Sequence, residues 1–238
     1  MRAVSFDLWF TLIYEEEADE RTYTFMRVKA LHEGLSRFRE ISLEDVMDVY
    51  KSLKFAREYL SARSLVNLVA LALGIKLGRE ELERLSRDYV RSTRDFTPKV
   101  NMEVYEVIPK IRELGLKTAI VSNTSFSEEG VRAMLENLRL ANYFDVIVSS
   151  SSLGYNKPVP RIYKYLVRKL GLRPREILHV GDSCINDVLG PVSVGLRAAL
   201  YVGFRKDRDA DLCSRLDVPV LRSLSELLEK NLITHNTT

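Results

Sequence analysis

Five short runs along the chain look like buried strands, most of them aliphatic or β-branched without polar alternation: Ala3 to Asp7, Lys117 to Ser122, Val146 to Ser149, Ile177 to Gly181 and Arg197 to Val202. Continuous runs of this length, rich in β-branched and aliphatic residues, predict parallel strands covered on both faces. Between the later runs the spacing becomes helical. Ile108, Ile111 and Leu114 share a face before Gly115, and Ile162, Tyr165, Leu166 and Lys169 precede Gly171, so each helix is expected to end at a C-cap glycine. Alternating strands and helices predict an α/β fold with a Rossmann-like, doubly wound parallel sheet.

The interval between the first two strands breaks this rhythm, holding roughly a hundred residues where a βα connection needs a few. Its pattern is helical. Ser42 opens S-L-E-D as a capping-box start, followed by Val46, Val49, Tyr50, Leu53 and Leu60 at helical spacing. The apolar stretch Leu65 to Leu73 reads as a buried helix, being far shorter than the ~20 residues of a membrane span. Leu82, Leu85 and Tyr89 mark a further helix, with Glu80–Arg84 and Glu83–Arg87 at i,i+4 spacing. The expected division is a catalytic core of residues 1–14 and 97–238 and an inserted α-helical domain of residues 15–96. The acidic run from Glu15 to Glu20 reads as the solvated start of the insertion, and the tail HNTT as frayed.

Charge narrows the classes of partner. With 36 basic and 33 acidic residues the net charge is +3, too balanced to suggest nucleic acid or a membrane surface. The start MRAVSFDLWF carries no secretory signal. Two cysteines, Cys184 and Cys213, make no disulfide framework, so both are expected as small apolar packing residues and the location as cytoplasmic.

Ligands of open α/β sheets bind beyond the carboxyl ends of the strands, which turns separate motifs into one site. The first strand brings Asp7 there, the second Ser122 and Asn123, and the fourth the segment GDSCIND with Asp182 and Asp187. Lys157, in GYNKPVP, follows the third strand. A carboxylate nucleophile, a hydroxyl and an ammonium that hold oxygens, and further carboxylates for a hard cation such as Mg²⁺ suit phosphoryl transfer.

Four segments in this order, DLWFT at 7–11, SN at 122–123, Lys157 and GDSCIND at 181–187, resemble the haloacid dehalogenase superfamily of hydrolases. That resemblance implies a Rossmann-like core with a helical cap inserted after the first strand. It implies that Asp7 attacks phosphorus, with Mg²⁺ held by Asp7, Asp182 and the backbone carbonyl of Trp9. Ser122 would bond a phosphoryl oxygen, Lys157 would pair with the phosphoryl group and Asp7, and Asp187 would orient Lys157 or the metal's water shell. Thr11 and Asn123 are placed as substrate-binding loop positions, and the partner as a small phosphorylated metabolite.

The departure is Trp9, where phosphatases of this superfamily usually carry an aspartate that protonates the leaving group. General acid–base catalysis contributes about 10²–10⁴-fold, so its loss suggests a good leaving group such as an acyl phosphate, a substitute such as Tyr14 or Glu15, or slow turnover. An aromatic residue there also resembles the true dehalogenases, since halide leaves without a proton. Asp182 favours phosphate, because the dehalogenase branch needs no metal. A third reading is a metal- or ligand-binding protein of low turnover on the same fold. His179, within its strand, reads as a core histidine.

Overall fold

The computed structural model describes residues 1–15, 22–57, 60–204, 213 and 215–233. The acidic run beyond Glu15 and the terminal HNTT lie outside these residues. The chain divides into two compact units, one of Met1–Tyr14 with Pro98–Thr238 and one of Glu15–Thr97.

Unit two is helical in its described residues. It comprises α1 (Tyr23–Leu35), α2 (Leu43–Ser52), the short α3 (Lys54–Arg57), α4 (Ala62–Ala72) and α5 (Arg79–Arg91). Ser42 caps α2 as its sequence predicts: its hydroxyl accepts from the Asp45 N–H at 3.0 Å, while the Asp45 carboxylate accepts from the Ser42 N–H at 3.0 Å. The helix stops at Ser52, earlier than the spacing out to Leu60 implied. Glu83 bonds Arg79 at 3.3 Å. A separate apolar core includes Val28, Leu31, Val46, Val66, Val69 and Leu85.

The larger unit is built on a six-stranded parallel sheet: β1 (Ala3–Phe6), β4 (Lys117–Ser122), β5 (Val146–Ser149), β6 (Ile177–Gly181), β7 (Arg197–Tyr201) and β8 (Val220–Leu221). Their order is β5-β4-β1-β6-β7-β8. The five predicted runs are all strands. The sixth, β8, is only two residues long, too short to carry a periodic signal. A two-stranded antiparallel pair, β2 (Ile13–Tyr14) with β3 (Lys99–Val100), joins the points where the chain leaves and re-enters this unit. It too escapes a periodicity reading.

Helices α6 (Val104–Glu113), α7 (Glu128–Asn137), α8 (Ser150–Leu153) and α9 (Pro160–Leu170) connect the strands. Gly115 (φ +76°) and Gly171 (φ +66°) lie just past α6 and α9 in the left-handed region, the C-cap role assigned to them. One face of the sheet packs Val4, Phe6, Ile120 and Val180 into one core cluster. The other packs Ala3, Ala119, Val121 and Ile177 against Ile162, Tyr163 and Leu166 of α9.

The cysteine expectation needs correction, because Cys184 and Cys213 form a disulfide. Both are buried in a small apolar cluster with Val188, Ala198 and Leu200. The packing was legible but the bond was not, since spacing along the chain does not reveal which thiols meet. With it goes the argument from cysteine usage for a reducing compartment. No helix is long and apolar enough to cross a membrane among the described residues.

Candidate active site

From β1 the chain runs to β4 and β5 on one side, then crosses back to β6, β7 and β8 on the other, so the order reverses around β1. A crevice opens at the carboxyl ends where such a sheet changes direction. Asp7 follows β1 into that place, and its N–H bonds the carbonyl of Val180 in β6 at 2.8 Å. The turn beyond is compact: the N–H groups of Leu12 and Ile13 both reach the Leu8 carbonyl at 3.0 Å, with Phe10 in the left-handed region at φ +60°. Trp9, half-buried, packs against the main core.

Lys157 is the hub. Its Nζ donates to Asp7 Oδ1 and, at 2.7 Å, to Asp187 Oδ1. Lys157 is 2% exposed, Asp7 6% and Asp187 1%. Asp182 is also buried, and carboxylate oxygens of Asp7, Asp182 and Asp187 lie within 4.8 Å of one another. Two of these carboxylates, Asp7 and Asp187, share the Lys157 ammonium, and the third lies beside them. Burial raises the Asp7 carboxyl to about 7; Lys157 opposes this, and the negative charges of Asp187 and Asp182 add to it. Burial disfavours the Lys157 ammonium, but Asp187 and Asp7 outweigh it and raise its pKa. Asp187 is held below the carboxylate range despite its burial, because Lys157 and His179 both stabilise its charge.

Asp187 is held by donors on both of its oxygens. Asp187 Oδ1 receives Lys157 at 2.7 Å and His179 Nε2 at 3.1 Å, and its Oδ2 receives the Ser183 N–H at 3.0 Å. The three acids together form a cluster that could hold a cation, and Asp187 is the member already engaged by Lys157 and His179. Hard oxygen donors with net negative charge fit Mg²⁺, which takes one or two protein carboxylates alongside water and phosphate.

Two hydroxyls complete the mouth of the sheet. Thr11 Oγ1 and Ser122 Oγ are wholly buried without a hydrogen-bond partner among the described residues. Buried polar atoms left unpaired are costly, so an oxygen-rich ligand that reaches them gains that energy back. Register places Ser122 two residues past the Phe6↔Ile120 pair, beside the turn that follows Asp7.

Asn123 has an occupation that its sequence position did not reveal. Its Nδ2 donates to the Lys157 carbonyl at 3.1 Å while its Oδ1 accepts the Lys157 N–H at 2.8 Å. Both ends of the amide hold the backbone of the lysine. Glu15, a possible proton donor by sequence, accepts the Tyr23 N–H at 2.9 Å in the first turn of α1. Tyr14 stacks on Phe204 with ring centroids 4.5 Å apart.

His179 is buried as its core reading expected, but its bond to Asp187 and the packing need at Gly181 were not read from the sequence. A Cβ on Gly181 would sit 2.3 Å from Asp187 Cγ, so the glycine leaves the space that the carboxylate fills. Strand alternation held the signal: positions 179 and 181 share a face, and Asp187 lies over both.

The sequence profile of the haloacid dehalogenase-like hydrolases matches residues 26–201. Haloacid dehalogenase-like hydrolase domain-containing protein 3 of Homo sapiens is 34% identical over 126 residues, which cover 52% of this chain and 48% of that protein. Glyceraldehyde 3-phosphate phosphatase of Methanothermobacter thermautotrophicus is 27% identical over 121 residues, covering 50% and 53%. The chain spans about half the length of the curated relatives it matches. Among solved structures, a HAD phosphatase from Thermococcus onnurineus superposes with a TM-score of 0.67 at 27% identity over 98% of both chains. A 2-haloacid dehalogenase from Pseudomonas syringae pv. Tomato shares the fold, with a TM-score of 0.71 at 21% identity over 98% of both chains. With the family profile matching most of its length and the same fold in a HAD phosphatase, this chain belongs to the haloacid dehalogenase-like hydrolases.

Proposed function

We propose that the protein is a magnesium-dependent phosphatase that hydrolyses a small phosphorylated metabolite through an aspartyl phosphate on Asp7. The observation that carries this reading is the buried cluster of Asp7, Asp182 and Asp187, in which Lys157 pairs with Asp7 and Asp187. The excess negative charge calls for a cation, and the unpaired hydroxyls of Thr11 and Ser122 call for an oxygen-rich ligand. The phosphatases among its relatives and structural neighbours support the same chemistry. The helical unit of residues 15–97 is read as the cap that the family resemblance implies.

Asp7, Asp182 and the carbonyl of Trp9 would hold Mg²⁺, which when bound neutralises phosphoryl charge. An Asp7 carboxylate oxygen attacks phosphorus, forming the aspartyl O–P bond as the bond to the leaving oxygen breaks with its electron pair. Lys157, anchored by Asp187, keeps Asp7 oriented and ionised and offsets charge on the transferring group. Ser122 and Thr11 donate to phosphoryl oxygens. Water then attacks the aspartyl phosphate, releasing inorganic phosphate and returning Asp7 as a carboxylate. Trp9 offers no proton to the leaving group, because an indole is not an acid at neutral pH. Substrates with good leaving groups, acyl phosphates above all, are therefore favoured.

Trp9 also supports a second reading, a 2-haloacid dehalogenase in which Asp7 displaces halide and the missing acid costs nothing. One assay separates the two. Phosphate release from a panel of phosphate esters and acyl phosphates is measured with and without chelator, beside chloride release from 2-haloacids. Chelator-sensitive phosphate release supports the phosphatase; chelator-insensitive chloride release sinks it. With Trp9→Asp, a gain confined to poor leaving groups marks the missing acid.

A further inference from the structure

His179 lies on a sheet face that packs the apolar side chains of Ala3, Ile177 and α9, and the mechanism above does not use it. Its strand neighbour in register is Ser5 of β1, and its ring meets the edge of Tyr163 in α9 with centroids 5.5 Å apart. Ser5, His179, Asp187 and Lys157 are all nearly inaccessible to solvent. A polar chain runs through them: Ser5 Oγ to His179 Nδ1 at 2.9 Å, His179 Nε2 to Asp187 Oδ1 at 3.1 Å, and Asp187 Oδ1 to Lys157 Nζ at 2.7 Å, with Lys157 also donating to Asp7.

Donor and acceptor rules fix the protons. An ionised carboxylate only accepts, so the nitrogen facing Asp187 carries the hydrogen, and a neutral ring then presents Nδ1 as an acceptor to the Ser5 hydroxyl. Ser5 thereby selects the tautomer, as a second partner does for many functional histidines. Asp187 has two side-chain donors on one oxygen and the Ser183 N–H on the other. Lys157 is held in turn at a single position between Asp187 and Asp7.

We propose that His179 is a positioning residue: in its Nε2–H form it fixes Asp187, through which Lys157 is aimed at Asp7, and Ser5 holds it in that tautomer. The proposal rests on the reading of Asp7 and Lys157 as reacting groups, and nothing in it requires His179 to touch substrate. Partners of this kind, one shell behind the reacting groups, cost activity in proportion to the disorder their loss allows.

The test compares His179→Leu, His179→Gln and Ser5→Ala with the wild type. Glutamine can place an amide N–H near the position of Nε2, whereas leucine removes the donor. With an acyl phosphate as substrate, His179→Leu is expected to lower kcat by roughly 10–100-fold with KM little changed, and His179→Gln to recover most of it. Equal kcat in His179→Leu and wild type overturns the proposal, as does an equal loss in the leucine and glutamine variants when both melt cooperatively near the wild-type temperature.

A second measurement is independent of turnover. The chain has only three histidines, so long-range ¹H–¹⁵N correlation of the imidazoles can resolve His179. The expected pattern is the Nε2–H tautomer in the wild type and a tautomeric mixture in Ser5→Ala, with the Lys157 ammonium resonance shifted in His179→Leu. A wild-type Nδ1–H or imidazolium form at neutral pH overturns the proposal. If the wild type releases no phosphate from any substrate, the phosphatase reading fails, and the spectra alone then decide the role of His179.

Discussion

Lys157 and Asp187 form an ion pair of 2.7 Å in which the side chains are 2% and 1% exposed. Removing one partner of a buried pair strands the other charge, at a cost of about 3–5 kcal/mol. Asp187→Asn is therefore expected to lower stability by that order in denaturant titrations and to reduce turnover severely. The asparagine amide also brings donors where Lys157 and His179 both need an acceptor. Unchanged stability would show that the pair is not formed as described.

Gly181 should tolerate no side chain. The Cβ of alanine would fall 2.3 Å from Asp187 Cγ and 2.6 Å from its Cβ, so the carboxylate must move. Overpacking of this kind costs about 1–3 kcal/mol. The Gly181→Ala variant is expected to melt lower and to lose activity more than stability, because Asp187 is displaced from Lys157 and His179. Wild-type kcat in this variant would refute the packing argument.

The ionisation of Asp7 gives a pH signature in metal-free protein. Its pKa rises from the ordinary 3.8 to about 7 on folding, so the folded state binds this proton more tightly. The stability it contributes is complete below pH 3.8 and is lost as pH rises through about 7. Asp7→Asn does not titrate. In chelator-treated samples its stability relative to wild type should grow by roughly 2–3 kcal/mol between about pH 5 and pH 8. Parallel stability curves for the two proteins would refute the buried acid.

The disulfide spans 29 residues and ties the π-helical turn Cys184–Leu189, which carries Asp187, to Cys213. Closing a loop of that size stabilises by about 2–4 kcal/mol through the unfolded state. Cys184→Ala with Cys213→Ala is expected to lower the melting temperature by roughly 5–15 °C, at the ~2–4 °C per kcal/mol of a chain this long. A strong reductant should reproduce the loss in wild type and leave the double variant unaffected. Equal melting temperatures with and without reductant would show that the bond adds nothing.

The sequence by itself determined the sheet and pointed to a helical insertion and to candidate site residues. These follow from local patterns: uninterrupted β-branched runs for buried parallel strands, helical spacing with cap residues for α2, α6 and α9, and acids, hydroxyls and a lysine just past strand ends. Patterns of this kind need only near neighbours and a general rule about where sheets bind ligands. Tertiary structure alone decided what depends on atoms far apart in the chain. Ser5 and His179 are separated by 174 positions and Asn123 and Lys157 by 34, and their partnerships arise from strand register and loop packing. The Cys184–Cys213 bond, the two-residue strands and the pairing of Lys157 with Asp7 and Asp187 belong to the same class. Each is a matter of distance and direction, which a linear order of residue types does not encode.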